Sequence, residues 1–312
     1  MVKTHSNDGH GLECPEVRIL LLGGNGQLGV DLRRALSAHT VLATARAPGP
    51  DSGLRALDVG DRLAIAERVA EFKPELVLNT AAFHRVDDIE RDAGEALRIN
   101  ALGAQQLALA CRAADCALMH ISTDYVFDGA KRAPYVETDA PNPLSAYGAS
   151  KLAGELLIRA AWPKHYIVRT CGLYGRAGAS GKGGNFVNTM LRLAREGKPI
   201  RVVGDQICTP TSTADLAAQL ALLIETRVWG TYHATNAGAC AWSDFAAEIF
   251  RLAAARGLIA AVPAVAAITS AEFGAPARRP PYSVLENRAL ADLDLDRMPP
   301  WQDALAGYIA SF

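Results

Sequence analysis

The chain has 312 residues, of which 50% are hydrophobic and 21% charged, with a formal net charge of -1. That composition supports a large core, which excludes intrinsic disorder, and it lacks the basic surplus of a protein devoted to nucleic acid. The longest apolar runs fall far short of the roughly 20 residues that span a bilayer, so neither membrane nor nucleic acid is an expected partner.

Residues 1–16 include His5, Ser6, Asn7, Asp8, Gly9 and His10 without the apolar stretch of a secretory signal, so a flexible tail and a cytoplasmic protein are expected. Short apolar runs at Val17–Leu22, Val41–Ala45, Leu76–Ala82, Ala117–Ile121 and Tyr166–Thr170 read as buried strands. Helical spacing separates them: Leu28, Leu32 and Leu36; then Leu63, Ala66, Val69 and Phe72; then Leu97, Ala101, Gln105 and Leu109. Alternation of this kind builds a parallel sheet covered on both faces, with its ligand crevice at the carboxyl ends of the strands. After Thr170 come Gly172, Gly175, Gly178, Gly181, Gly183 and Gly184, which suit a loop near a ligand. A second region then predicts a helix around Asn185–Arg195, a strand at Ile200–Val203, a helix over Thr213–Glu225 and another from Ser243, as N-cap, to Ala255. Prolines 276, 280 and 281 keep Ala275–Tyr282 out of any helix.

Gly23-Gly24-Asn25-Gly26-Gln27-Leu28-Gly29 joins the first strand to the first helix. Glycines let the backbone turn and approach a pyrophosphate, and the helix start offers N–H groups to an anion. A plain strand-to-helix turn is the competing reading. The second strand ends at Thr44-Ala45-Arg46 with no acid before Asp51. An acid there would take the ribose hydroxyls of NAD, whereas an Arg accommodates a 2′-phosphate, so NADPH is expected, with NADH still usable. The alternative leaves Arg46 in solvent. After Asn79-Thr80, small Ala81 and Ala82 allow a ribose to come close, with His84 near.

Tyr147 and Lys151, four residues apart, share a helix face. A phenol beside an ammonium is expected to have a lowered pKa and to serve as a proton donor, although the spacing alone also fits a surface pair. Its company is Ser122-Thr123-Asp124 at the end of the fourth of the main apolar strands, where Thr123 can donate to a carbonyl or merely satisfy local backbone. Asn100 either orders the site or packs its helix. Arg278-Arg279 faces either a diphosphate or a surface carboxylate. Six cysteines, at 14, 111, 116, 171, 208 and 240, form no Cys-x-x-Cys pair, and the seven histidines have no acids at metal-ligand spacing. Free thiols and no metal are expected.

With these motifs in order, the chain resembles the extended short-chain dehydrogenase/reductases and, within them, the dTDP-4-dehydrorhamnose reductases. The likeness covers nearly everything after Val17 and is most specific at Gly23–Gly29, Leu57-Asp58-Val59, Asn79–Ala82, Ser122–Gly129, Tyr147–Glu155, Val168-Arg169-Thr170, Gly184–Leu193, Asp205–Thr213 and Arg279–Ser283. It implies an α/β fold, a Rossmann-like doubly wound parallel sheet over residues 17–170 that binds NAD(P)H. Residues 171–312 would be mainly a smaller nucleotide-sugar-binding region, with some elements returning to the core. The implied reaction is reduction of a sugar 4-keto group, dTDP-4-dehydro-L-rhamnose to dTDP-L-rhamnose. Carried over residue by residue, Thr123, Tyr147 and Lys151 become the catalytic trio. Gly23, Gly26, Gln27, Leu28, Asp58, Val59, Ala81, Ala82 and His84, with Tyr147 and Lys151, fall at cofactor contacts, and Thr123, Asp124, Asn185 and Phe186 at substrate contacts.

Relatives often carry a Trp shortly after the Arg-Thr of the following strand, where this chain has Arg169-Thr170-Cys171-Gly172. Either another residue supplies that contact or the substrate differs. Two rival functions remain open. A nucleotide-sugar epimerase or dehydratase shares the fold, but dehydratases commonly follow the catalytic Thr with Asp-Glu, and here Asp124 precedes Tyr125. A non-catalytic regulatory subunit resembling the beta subunit of methionine adenosyltransferase is the other, against which the intact trio weighs. The sequence leaves a homodimer open.

Overall fold

The computed structural model describes residues 16–177 and 184–312, so the expected tail up to residue 15, Cys14 and glycines 178, 181 and 183 lie outside the described residues. The chain runs β1 (Arg18–Leu22), α1 (Gln27–Ala35), β2 (Thr40–Ala45), β3 (Arg55–Ala56), α2 (Arg62–Phe72) and β4 (Leu76–Asn79). Short helices α3 (Val86–Ile89) and α4 (Gly94–Ala96) lead into a π-helical stretch, Leu97–Gly103, then α5 (Ala104–Ala114), β5 (Ala117–Thr123), α6 (Ala146–Ala161) and β6 (His165–Thr170). Beyond it lie β7 (Leu173–Tyr174), α7 (Phe186–Arg195), β8 (Ile200–Val203), β9 (Ile207–Cys208), β10 (Thr211–Ser212), α8 (Thr213–Thr226) and β11 (Gly230–His233). The chain ends with β12 (Cys240–Ala241), α9 (Trp242–Ala255), β13 (Val265–Ile268), α10 (Ser270–Phe273), α11 (Arg288–Asp292) and α12 (Trp301–Ala310).

Seven strands form one sheet in the order β11-β6-β5-β4-β1-β2-β3, all parallel. This is the expected Rossmann-like sheet, and its order reverses between β1 and β4, which opens a crevice beyond their carboxyl ends. Side chains of β1 alternate between two cores. Ile19 and Leu21 pack with Leu28 and Leu32 of α1 and Leu216 and Leu220 of α8, whereas Leu20 and Leu22 pack with Ile65 and Val69 of α2 and Leu107 and Cys111 of α5. A third core, with Val187, Leu191, Ile200, Phe245, Ile249 and Leu305, joins α7, α9 and α12 over β8. Residues after Thr170 thus divide between two places: β11 and α8 lie on the sheet, and the third core stands beside its carboxyl edge.

Four local expectations change. The third apolar run ends as strand at Asn79, not Ala82, because the Asn79 carboxamide oxygen accepts the Ala81 N–H at 3.0 Å and turns the chain. On α2, Val69 and Phe72 face the core as expected, but Ile65 is buried in place of Leu63, which is 72% exposed, and Ala66 is exposed. The segment from Leu97 begins in π-helix rather than α-helix, leaving Leu97 exposed. Helix α9 starts at Trp242 with Ala241 as N-cap; the Asp244 carboxylate accepts the Ala241 N–H at 3.2 Å, so Ser243 is inside the helix. Among the described residues no helix is long and apolar enough to cross a membrane, and cysteines 111, 116, 171, 208 and 240 are free thiols.

Candidate active site

A cleft of about 990 Å³ runs from the β1–α1 turn to the mouth of the third core. At one end, Gly23 adopts φ +81° and lies so close to β4 that a Cβ on it would stand 2.5 Å from Thr80 Oγ1. A Cβ on Gly29 would stand 2.1 Å from the Gly23 carbonyl oxygen, so this glycine lets α1 fold back on its own turn. Gly26 caps α1 without any side-chain hydrogen bond. Among the described residues no side chain caps the first-turn N–H groups, a donor set matched to a pyrophosphate.

The other residues expected at a cofactor also line this cleft: Gln27, Leu28, Arg46, Asp58, Val59, Ala81, Ala82 and His84. Arg46 is exposed at the rim. The Asp58 carboxylate accepts the Gly60 N–H at 2.7 Å and lies 3.5 Å from Arg98, which is paired in turn with Glu95. Gln27 does more than expected of it. Its side-chain oxygen accepts from Gly175 N at 3.0 Å and Asn185 Nδ2 at 3.1 Å, tying the glycine turn to the start of α7.

Thr123, Tyr147 and Lys151 converge midway along the cleft. Strand β5 brings Thr123 to its carboxyl end. Helix α6, capped by Ser145 Oγ accepting Gly148 N–H at 3.2 Å, delivers Tyr147 and Lys151 one turn apart. The helix is held at depth by Glu155, which lies on the same helix one turn beyond Lys151: its carboxylate accepts Ser122 Oγ at 2.6 Å and Arg169 Nη2 at 2.7 Å, all fully enclosed. Asn100 acts on backbone, clasping both the N–H and the carbonyl of Phe83 at 2.9 Å and donating to Ser150 at 3.0 Å.

The electrostatics differ from the expectation of a lowered Tyr147 pKa. Burial pushes the Tyr147 phenol up to about 12, opposed by the Thr123 hydroxyl and aided by the Asp124 carboxylate. Lys151 is 2% exposed, and burial pulls its ammonium down to about 8 against the attraction of Glu155. Burial of the phenol is the physical reason, and the Lys151 amine itself donates to the Ile121 carbonyl at 2.7 Å and lies 3.0 Å from Nε2 of His120. His120 was not singled out from the sequence. Its only signal is its position on β5 two residues before Ser122, and hence on the same face of the strand.

At the far end, Thr123 donates to Asp124 at 3.0 Å and accepts the Tyr125 N–H at 3.2 Å, the local role the sequence allowed, while its side chain lines the cleft. Burial raises the Asp124 carboxyl pKa, and Ser283, the Cys171 thiol at 3.1 Å and Thr123 oppose that rise. Asn185 also lines the cleft; as N-cap of α7 it accepts Asn188 N–H, and its amide lies within hydrogen-bond distance of Gln27, Gly175 and Tyr308. Phe186 lines the cleft beside Trp242, a second residue the sequence did not flag. Arg279 takes the carboxylate option, bonding both oxygens of Asp87 at 3.1 and 3.0 Å, and Arg278 is exposed.

This chain is similar over nearly its whole length to several dTDP-4-dehydrorhamnose reductases. A dTDP-4-dehydrorhamnose reductase of Streptomyces griseus is 39% identical over 298 residues, 93% of this chain and 92% of that one. The crystal structure of a dTDP-4-dehydrorhamnose reductase from Clostridium acetobutylicum superposes with a TM-score of 0.85 at 41% identity, covering 94% of this chain and 99% of the other. The Bacillus anthracis enzyme of the same name, solved in complex with NADP, superposes with a TM-score of 0.86 at 36% identity, covering 96% and 100%. The family described as the RmlD substrate binding domain matches residues 17–312, and to that family, the dTDP-4-dehydrorhamnose reductases, the chain belongs.

Proposed function

We propose that the protein uses NADPH to reduce the 4-keto group of a dTDP-linked 6-deoxysugar, dTDP-4-dehydro-L-rhamnose to dTDP-L-rhamnose. The observation that carries this reading is the convergence of Thr123, Tyr147 and Lys151 in the same cleft as the uncapped start of α1. NADPH supplies the hydride when bound. Gly23, Gly26, Gln27 and the α1 N–H groups hold its pyrophosphate, and Arg46 its 2′-phosphate. Thr123 orients the ketone and Tyr147 protonates the oxygen as negative charge builds on it. A phenol held near 12 stays protonated throughout the working pH range, so it arrives ready to donate. Lys151 binds ribose and stands behind Tyr147. Residues 171–312 mainly hold the nucleotide sugar, with Asp124 and Phe186 at the sugar end.

Incubation with NADPH and dTDP-4-keto-6-deoxysugars tests the reading. Stoichiometric NADPH oxidation with a new hydroxyl at C4 is expected. Cofactor binding without turnover across the sugars would instead favour a regulatory subunit, and redox-neutral rearrangement an epimerase.

A further inference from the structure

Residue 172 follows β6 at the mouth of the cleft, and its glycine has φ +55°. A Cβ there would stand 3.2 Å from Pro210 Cα and 3.3 Å from Cη2 of Trp242. The space toward which a side chain at 172 would grow is therefore occupied by an indole from another element. Trp242 is delivered by the β12–α9 junction, where Cys240 and Ala241 pair antiparallel with Cys208 and Ile207. Its ring is half-buried, lines the cleft and packs on Phe186 with centroids 4.8 Å apart at 50°. Fully buried Phe245 backs both, 5.7 Å from Phe186 and 6.2 Å from Trp242. Two partly exposed rings on a fixed aromatic base make a rigid apolar wall beside a cleft that also presents the polar side chains of Thr123, Asp124, Gln206 and Ser283.

A 6-deoxypyranose has matching chemistry. Its ring C–H groups and C6 methyl form an apolar face, and its remaining hydroxyls demand hydrogen bonds. We infer that Trp242, braced by Phe186, is the specificity-determining aromatic of the sugar site and packs its indole on that apolar face. The inference rests on the proposed substrate class. It also answers the absence of an aromatic at Gly172: the contact comes from α9, and a Trp at 172 would collide with Trp242 and Pro210 besides being strained at positive φ.

The test compares wild type, Trp242→Leu and Trp242→Phe by calorimetric titration with dTDP, dTDP-L-rhamnose and NADPH, and by steady-state kinetics. Leu keeps an apolar side chain but has no flat face. It should weaken dTDP-L-rhamnose binding and raise KM roughly tenfold, as expected for the loss of about 50–60 Å² of apolar contact, with dTDP and NADPH affinities changing less than about twofold. Phe should recover most of the loss. Equal weakening of dTDP and dTDP-L-rhamnose would place the indole on the base and overturn the inference, as would unchanged affinity in the Leu variant. Retained NADPH binding shows that a variant is folded. A wild type that binds or turns over no dTDP-deoxysugar fails the proposed function itself, an outcome distinct from failure of the variant comparison.

Discussion

His120 Nε2 lies 3.0 Å from Lys151 Nζ, and both side chains are almost wholly enclosed. The bonding sequence sets the proton positions. Asn79 uses its oxygen to accept the Ala81 N–H, so its amide nitrogen, 3.0 Å from His120 Nδ1, is the donor there. Burial, and then the Lys151 charge, hold His120 well below its usual pKa, so it is neutral with its proton on Nε2, aimed at Lys151. An N–H facing an ammonium is unfavourable, and an N–H facing an amine is a hydrogen bond. Burial draws Lys151 down to about 8 against the attraction of Glu155.

His120→Leu should strand the Asn79 amide and one side of Lys151. Stability should fall by about 1–3 kcal/mol, measured by urea denaturation, because buried polar groups lose their partners. An unchanged midpoint would show that these contacts carry no net free energy.

Lys151 also gives a pH signature. Its folded pKa of about 8 lies below the ordinary 10.5, so between those values the unfolded chain binds more protons than the folded one. Stability contributed by this group should therefore rise with pH from about 8 to about 10.5 and be flat below 8. The difference between wild type and Lys151→Met across a pH series isolates it; parallel curves would mean that Lys151 does not titrate in that window.

Tyr147→Phe should preserve the fold and NADPH binding while lowering kcat by about 10²–10⁴-fold, the usual worth of a positioned acid. Near wild-type turnover would remove Tyr147 from the chemistry. Because the ring still fills its edge contact with Tyr125, at 5.9 Å, no large loss of stability should accompany the change.

Arg46→Ala should lower kcat/KM for NADPH and leave that for NADH nearly unaltered, since only the 2′-phosphate distinguishes them. Wild type should prefer NADPH. Equal use of both reductants by wild type, or parallel losses in the variant, would mean that Arg46 does not read the phosphate.

The alternation of apolar runs and helical spacing carried the sheet, and Gly23–Gly29, Thr123, Tyr147 and Lys151 were legible because each is a local pattern: a turn that needs glycine, a strand exit, and two residues one helical turn apart. The tertiary structure decided what depends on distant partners. Lys151 meets His120 across 31 residues, Glu155 closes on Arg169 across 14, and the Gly172 turn meets Trp242 through an antiparallel pair between β9 and β12. No periodicity records such meetings. The expected lowering of the Tyr147 pKa failed for the same reason, since spacing places Lys151 on the phenol's face of the helix while burial and a carbonyl on β5 determine where its charge is spent. The start of the buried stripe on α2 was likewise settled by packing: Leu63 and Ile65 are both apolar, and the positions of β1 and α5 select which one is covered.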